Sequence, residues 1–223
     1  MLLPTFLIMI TVASVNVNGL RSTSKMEGVF AMEAAHVLCL QETFWTDELV
    51  QQVRQRWYGE LYTSCGTARS RGVAVLFRRG AVTDINCVHS DNAGRLLVVD
   101  FVYNNVSCRI INVYAPTEET QRKSFFQGLE VWCQPGCLLM GDWNIHLTTK
   151  DVGRNVKFTT DGSRPVLVNL IKNKELLDVW RQSRLDFHFD GLILPQNSEF
   201  LFIVIPQRRV LCFVLVSVCF LPQ

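Results

Sequence analysis

Nine short runs rich in aliphatic and β-branched residues recur along the chain, at residues 12–17, 37–41, 61–65, 73–77, 82–88, 96–103, 107–113, 138–140 and 176–179. Their lengths suit strands, and several are apolar on both faces, which predicts sheets covered on each side. Asn104-Asn105 separates two of the runs. Asparagine tolerates the positive φ of a tight turn, so residues 96–113 are predicted to form one antiparallel hairpin. Amphipathic helical patterns intervene: Thr46-Asp47-Glu48 opens one that continues to Trp57, and Thr117-Glu118-Glu119 opens another that continues to Trp132. Residues 163–173 form a third, with Pro165 in its first turn and Leu167, Leu170 and Ile171 at helical spacing. Two packed sheets with helices outside, an α/β sandwich, fit this alternation. A chain of 223 residues is expected to form one large domain.

The formal net charge of +2 is too small to mark the whole molecule as a polyanion binder. Local cations at Arg69, Arg71, Arg78 and Arg79 can still meet a phosphate backbone. The eight cysteines include no Cys-x-x-Cys pair and no histidine cluster at zinc spacing, so they read as reduced core residues. The apolar N-terminus has no basic segment ahead of it and is predicted to lead into a first core strand rather than to act as a signal peptide. After Leu194 the polarity collapses. Residues 200–206 and 210–220 are almost wholly apolar on either side of Gln207-Arg208-Arg209, and the second run is shorter than the roughly 20 residues that span a bilayer. The sequence therefore divides into a domain over residues 1–194 and an apolar tail over 195–223.

Several of the strands end in oxygen-bearing side chains. Residues 138–140 run into Gly141-Asp142-Trp143-Asn144, where Asp142 and Asn144 stand two apart and share a face in extended chain. Glycine lets the backbone turn, and an acid beside a carboxamide at a rigid strand end can handle hard cations and phosphates. Leu38-Cys39-Leu40-Gln41-Glu42-Thr43 delivers Glu42 in the same way. Magnesium takes few protein carboxylates and keeps several waters, so one glutamate suffices as an anchor when a substrate phosphate completes the sphere. Asn16-Val17-Asn18-Gly19 places two amides on one face, each able to offer an oxygen to a cation or hydrogens to a phosphate; the same letters also spell an ordinary Asn-Gly turn. Tyr114 stands where a strand meets a helix start, and its hydroxyl could stabilise a pentacovalent phosphate or simply be satisfied at a core edge. Asp186, in Ser183-Arg184-Leu185-Asp186, closes the series.

Taken in order, Asn-x-Asn-Gly, Leu-Gln-Glu-Thr, Asn-Val-Tyr-Ala-Pro, Gly-Asp-Trp-Asn and Ser-Arg-Leu-Asp resemble the motifs of the endonuclease/exonuclease/phosphatase superfamily, the DNase I-like proteins. Asn18, Gly94-Arg95-Leu96-Leu97 and Leu177-Asp178-Val179-Trp180-Arg181 are similar to the endonuclease domains of LINE-type (non-LTR) retrotransposons. The resemblance covers residues 12–189 and implies a four-layer sandwich of two mainly antiparallel β-sheets flanked by helices, with the site where strand ends converge. It implies a Mg²⁺-dependent hydrolase of DNA phosphodiester bonds, with Mn²⁺ as a substitute metal and DNA as partner, acting inside the cell and in the nucleus. Within it Glu42 would hold the metal with help from Asn16 or Asn18, and Asp142 would orient or deprotonate the attacking water. Asn144 and Tyr114 would grip the scissile phosphate, and Asp186 would support a histidine.

In the family that histidine belongs to a Ser-Asp-His motif on a later strand, and this chain has no Asp-His pair; its histidines are His36, His89, His146 and His188. Only Gln182 stands between Trp180-Arg181 and Ser183, where family members carry a longer insertion. Both departures imply a sandwich incomplete or degenerate at its C-terminal end, with an exposed sheet edge and impaired activity. The alternatives are a catalytically inactive remnant of the fold and a membrane-tethered phosphatase of the same superfamily held by the apolar tail.

Overall fold

Side-chain alternation along the strands sorts the apolar residues into three layers, and these layers define the architecture. The computed structural model describes residues 10–32, 34–152 and 157–178 together with one two-residue strand, Ile203–Val204. In chain order the elements are β1 (Val12–Asn16), α1 (Thr23–Phe30), β2 (Val37–Gln41), α2 (Asp47–Arg56), β3 (Gly59–Ser64), β4 (Val73–Arg78) and β5 (Thr83–Ser90). There follow β6 (Leu96–Tyr103), β7 (Val106–Tyr114), α3 (Glu119–Gly128), β8 (Cys137–Asp142), α4 (Arg164–Asn173), β9 (Leu177–Asp178) and β10 (Ile203–Val204). A four-stranded sheet runs β1-β2-β4-β3 and a six-stranded sheet runs β5-β6-β7-β8-β10-β9.

Val12, Val37, Cys39, Val75 and Phe77 of the first sheet face Leu97, Val99, Phe101, Ile110 and Met140 of the second, filling the gap between them. The opposite face of the four-stranded sheet, with Val15, Leu38, Leu40 and Leu76, packs on Met26 and Val29 of α1 and Val50 and Val53 of α2. The opposite face of the six-stranded sheet, with Val98, Ile111, Val113 and Leu139, packs on Phe126 of α3 and Leu167 and Leu170 of α4. The order helix, sheet, sheet, helix is the expected four-layer sandwich.

Local chemistry accounts for the element ends. Thr46 caps α2, with Asp47 and Glu48 in its first turn and Arg54 and Arg56 in its last, matching the helix dipole at both ends. Glu118 caps α3 by accepting from the N–H groups of Thr120 and Gln121 at 2.8 and 2.7 Å. Asn104 and Asn105 take φ of 48° and 63° and turn β6 into β7 as the hairpin reading requires. Helix α1 is an addition to the sequence reading: only Met26 and Val29 are buried along it and Gly28 interrupts it, so its apolar stripe is too narrow to stand out. Ile203–Val204 pairs with both β8 and β9, so part of the segment separated from the domain on composition joins the six-stranded sheet.

Most neighbouring strands are antiparallel, but each sheet contains a parallel pair, β1 with β2 and β7 with β8. Parallel neighbours need a crossover, and α1 and α3 provide it. The C-terminal ends of both pairs lie on the same rim of the sandwich, since Asn16 at the end of β1 contacts Asp142 at the end of β8. Among the described residues no helix is long and apolar enough to cross a membrane.

Candidate active site at the strand ends

The two parallel pairs bring Asn16, Glu42, Tyr114 and Asp142 together. Asn16 is the register partner of Gln41, and Tyr114 of Asp142, so each sheet contributes two adjacent strand ends. Asn16 Nδ2 donates to Glu42 Oε1 at 2.9 Å and to Asp142 Oδ2 at 2.7 Å, so two carboxylates from different sheets converge on one amide nitrogen. The amide orientation is fixed, because Asn16 Oδ1 accepts from the Asn18 N–H at 2.9 Å. Glu42 itself sits in the left-handed region, φ 54°, held by the Gly19 N–H on its carbonyl at 2.7 Å. Just beyond it, Thr43 N donates to Gly72 O and Phe44 N to Arg71 O, so the 71–72 loop braces the turn that presents the carboxylate. Asn18, Phe44 and Asn144 share the left-handed conformation at 41°, 56° and 49°, so unfavourable backbone geometry gathers on this rim.

Asp142 depends on the glycine before it. The strand approaches β7 so closely that a Cβ on Gly141 would lie 1.9 Å from Val113 O, and φ there is +137°. The Asn144 N–H donates to Asp142 Oδ1 at 3.0 Å, and Asn144 Nδ2 donates to Ala115 O at 2.8 Å, locking the Asp-Trp-Asn turn onto the end of β7. Burial raises the Asp142 carboxyl above the usual carboxylate range, and the charge of Glu42 adds to the rise against the opposing bonds from Asn144 and Asn16. Burial also pushes the Tyr114 phenol up to about 12, with the charge of Glu42 and a hydrogen-bonding contact to it as further causes. The Arg95 guanidinium lies over the Tyr114 ring, 5.2 Å from its centroid, and donates to Tyr114 O at 3.2 Å. Asp91 Oδ1 holds the turn that carries this arginine by accepting from Arg95 N and Leu96 N at 2.9 and 3.1 Å.

Five of the residues singled out from sequence therefore meet at one place: Asn16, Glu42, Tyr114, Asp142 and Asn144. Asn16 stands there in a different posture from a metal ligand, since it turns its nitrogen to the carboxylates and its oxygen to the backbone. Asn18 is exposed and contributes its backbone N–H, while its carbonyl accepts from Lys25 Nζ at 3.4 Å. Asp186 lies outside the described residues. The four arginines split. Arg69 and Arg71 belong to the loop that braces Glu42, whereas β4 runs antiparallel to β2 and carries Arg78 and Arg79 to the opposite end of the sheet. There Arg78 donates to the carbonyls of Ala35, Phe30 and Met32 at 2.8, 3.0 and 2.9 Å, a structural clamp, and Arg79 lies over the Tyr58 ring. The sequence reading passed over Arg95 as a site residue, although an arginine on a glycine turn immediately before a core strand is a visible signal.

A hard divalent cation fits this donor set. The two carboxylates supply oxygen donors, both facing the Asn16 amide nitrogen, and burial, with the Glu42 charge adding to it, holds the Asp142 carboxyl above its ordinary range.

The fold and this convergence of strand ends define a phosphoester-handling class, and comparison with known proteins identifies it. A model of the endonuclease/exonuclease/phosphatase family matches residues 13–189, and the chain belongs to that family. It is 32% identical over 181 residues to the transposon TX1 uncharacterized 149 kDa protein of Xenopus laevis, covering 78% of this chain but 14% of that protein. This agrees with the LINE-type character read from its motifs. Its fold is similar to an AP endonuclease from Archaeoglobus fulgidus, with a TM-score of 0.66 at 19% identity over 89% of this chain and 87% of the other. It is similar also to the endonuclease domain of TRAS1, a telomere-specific non-LTR retrotransposon, with a TM-score of 0.58 at 11% identity over 88% and 84%.

Proposed function

We propose that this chain is a Mg²⁺-dependent phosphodiesterase acting on DNA, an endonuclease of retrotransposon type that nicks a duplex. The observation that carries the reading is the meeting of Glu42 and Asp142 on the Asn16 amide, with Tyr114 and Arg95 beside them. Glu42, whose carboxylate meets the amide hydrogen of Asn16 and the Tyr114 hydroxyl, would anchor the metal, with Asp142 as the second carboxylate able to help hold it. When bound, the metal polarises the phosphoryl oxygens and lowers the pKa of a coordinated water. Asp142 orients the attacking water and takes its proton; a carboxyl held above its ordinary range is the better base for that task. Tyr114 keeps its proton at neutral pH, so its hydroxyl donates to the phosphate, with the Asn144 amide as a second grip. Arg71 and Arg69 on the adjoining loop meet the DNA backbone, and such an activity would operate in the nucleus.

Plasmid nicking tests the reading. Wild-type protein converts supercoiled to relaxed circles with Mg²⁺ or Mn²⁺, chelation stops it, and Glu42→Ala lowers the rate by about 10²- to 10³-fold. Equal cleavage by both proteins would overturn the proposal. One observation favours a second reading, an inactive remnant: the sequence has no Asp-His pair. That reading expects no Mg²⁺-dependent difference between the two proteins.

A further inference from the structure

One layer beneath the rim, the apolar gap between the sheets contains three polar side chains almost wholly shut off from solvent: Ser14, Gln41 and Asn112. Asn112 of β7 donates through Nδ2 to Leu40 O at 3.0 Å and to Ala74 O at 2.9 Å, and those two residues are register partners on β2 and β4. Its Oδ1 accepts from Gln41 Nε2 at 2.7 Å, and the same nitrogen reaches Ser14 Oγ at 3.1 Å and Cys39 O at 3.2 Å. One side chain of the six-stranded sheet is thus tied to the backbone of two strands of the other sheet and to a side chain on one of them.

Stability does not account for this arrangement. Gln41 Oε1 is buried with no hydrogen-bond partner among the described residues, and such an orphaned acceptor costs about 1–3 kcal/mol, whereas apolar groups of the same shape can be nearly neutral or better. What the amides accomplish is geometric. Asn112 lies two residues before Tyr114 on the same strand face, Ser14 two before Asn16, and Gln41 immediately before Glu42. Apolar packing tolerates sliding between sheets; a fork of directional bonds to two neighbouring carbonyls fixes both spacing and register.

We propose that the Asn112–Gln41 clasp is a positioning element that sets the separation of the two sheets beneath the active site, so that Glu42 and Asp142, one from each sheet, meet on the Asn16 amide. Its catalytic consequence rests on the proposed nuclease function, but the geometry can be read without activity.

The test is Asn112→Leu, which keeps the branched shape of the side chain at a somewhat larger volume and removes every bond that Asn112 makes. The reporter is the Asn16 side-chain amide in ¹H–¹⁵N NMR, assigned with Asn16→Ser. In wild type it exchanges slowly and resonates away from exposed amides; in the folded variant it moves to the exposed position and exchanges at least tenfold faster. In parallel, kcat for nicking falls about 10- to 100-fold while KM changes less than about threefold, as expected for displaced rather than missing groups. An unchanged Asn16 amide in folded Asn112→Leu overturns the inference, even if thermal stability drops. Should that variant fail to fold, Gln41→Met, which leaves both carbonyl bonds of Asn112 in place, decides the matter: a smaller shift in the same direction supports the clasp, and none overturns it. If the wild type does not nick, the nuclease reading falls while the amide result still stands for or against the clasp.

Discussion

The two ends of the space between the sheets are built from the same strands to opposite purposes. At one end Phe77 and Phe101 lie 5.4 Å apart, Tyr62 meets Phe77 edge-on at 6.3 Å, and the adjacent Arg78 is held by three backbone carbonyls. At the other, buried aromatics give way first to the Ser14, Gln41 and Asn112 layer and then to Glu42 and Asp142. Moving along β4, β7 and β8 from the first end to the second exchanges dispersion and area burial for directed polar contacts. The lesson is a division of labour: one end supplies cohesion so that the other can keep strained backbone and crowded charge.

Truncation at the apolar end gives the largest effect. Phe77→Ala removes a fully buried ring from the centre of this cluster and should destabilise by about 3–5 kcal/mol in denaturant titration. In the fraction that remains folded, the Asn16 amide and any nicking rate per folded molecule should match wild type. A selective loss of rate in folded Phe77→Ala would show that the two ends are not separable.

At the charged end, removal of a charge should change how stability depends on pH. Burial and the charge of Glu42 hold the Asp142 carboxyl above its unfolded value, so the native chain keeps a proton in a window where the unfolded chain has released it. Stability from this group therefore falls as pH rises through that window. Asp142→Asn removes the charge and keeps one of the two acceptor oxygens, which can serve the Asn144 N–H, while its NH₂ then stands where Asn16 Nδ2 had an acceptor. In chelator-treated protein the stability of the variant relative to wild type should rise by roughly 0.5–1 kcal/mol between a pH below the ordinary carboxylate range and neutral pH, the lost Asn16 contact being an offset that does not change with pH. With a divalent cation present the sign should reverse, because the wild-type carboxylate then has a counter-charge. A stability difference that ignores both pH and metal would refute the electrostatic account, and nicking should fall by about 10²- to 10³-fold in the same variant.

How much of this was legible in the sequence follows from the same contrast. Strands buried on both faces announce themselves as unbroken apolar runs, so β1, β2, β4, β6 and β7 fall within two residues of their expected bounds. The strand-end motifs were legible too, because a carboxylate after a core strand is conspicuous. Directional facts were not. That Asn16 would turn its nitrogen inward depends on the Asn18 N–H, a contact that spacing does not encode. Gln41 and Asn112 read as polar letters inside apolar strands, and only the pairing of two sheets reveals that they meet.

The arginines sharpen the comparison with the smallest effect and the cleanest sign. Counted in sequence, Arg69, Arg71, Arg78 and Arg79 are equivalent cations, yet antiparallel β4 separates the first two from the last two by its whole length. If DNA lies across the rim, Arg71→Ala and Arg69→Ala should each lower the slope of log binding constant against log salt by about 1, the value for one released counterion. Arg79→Ala should leave that slope unchanged, since its cation lies over the Tyr58 ring at the far end. Arg78→Ala should leave it unchanged as well while lowering stability, because its guanidinium is committed to the carbonyls of Phe30, Met32 and Ala35. Equal slopes in all four variants would mean that DNA does not approach by the Glu42 rim, and would move the interface to a face that the strand ends do not define.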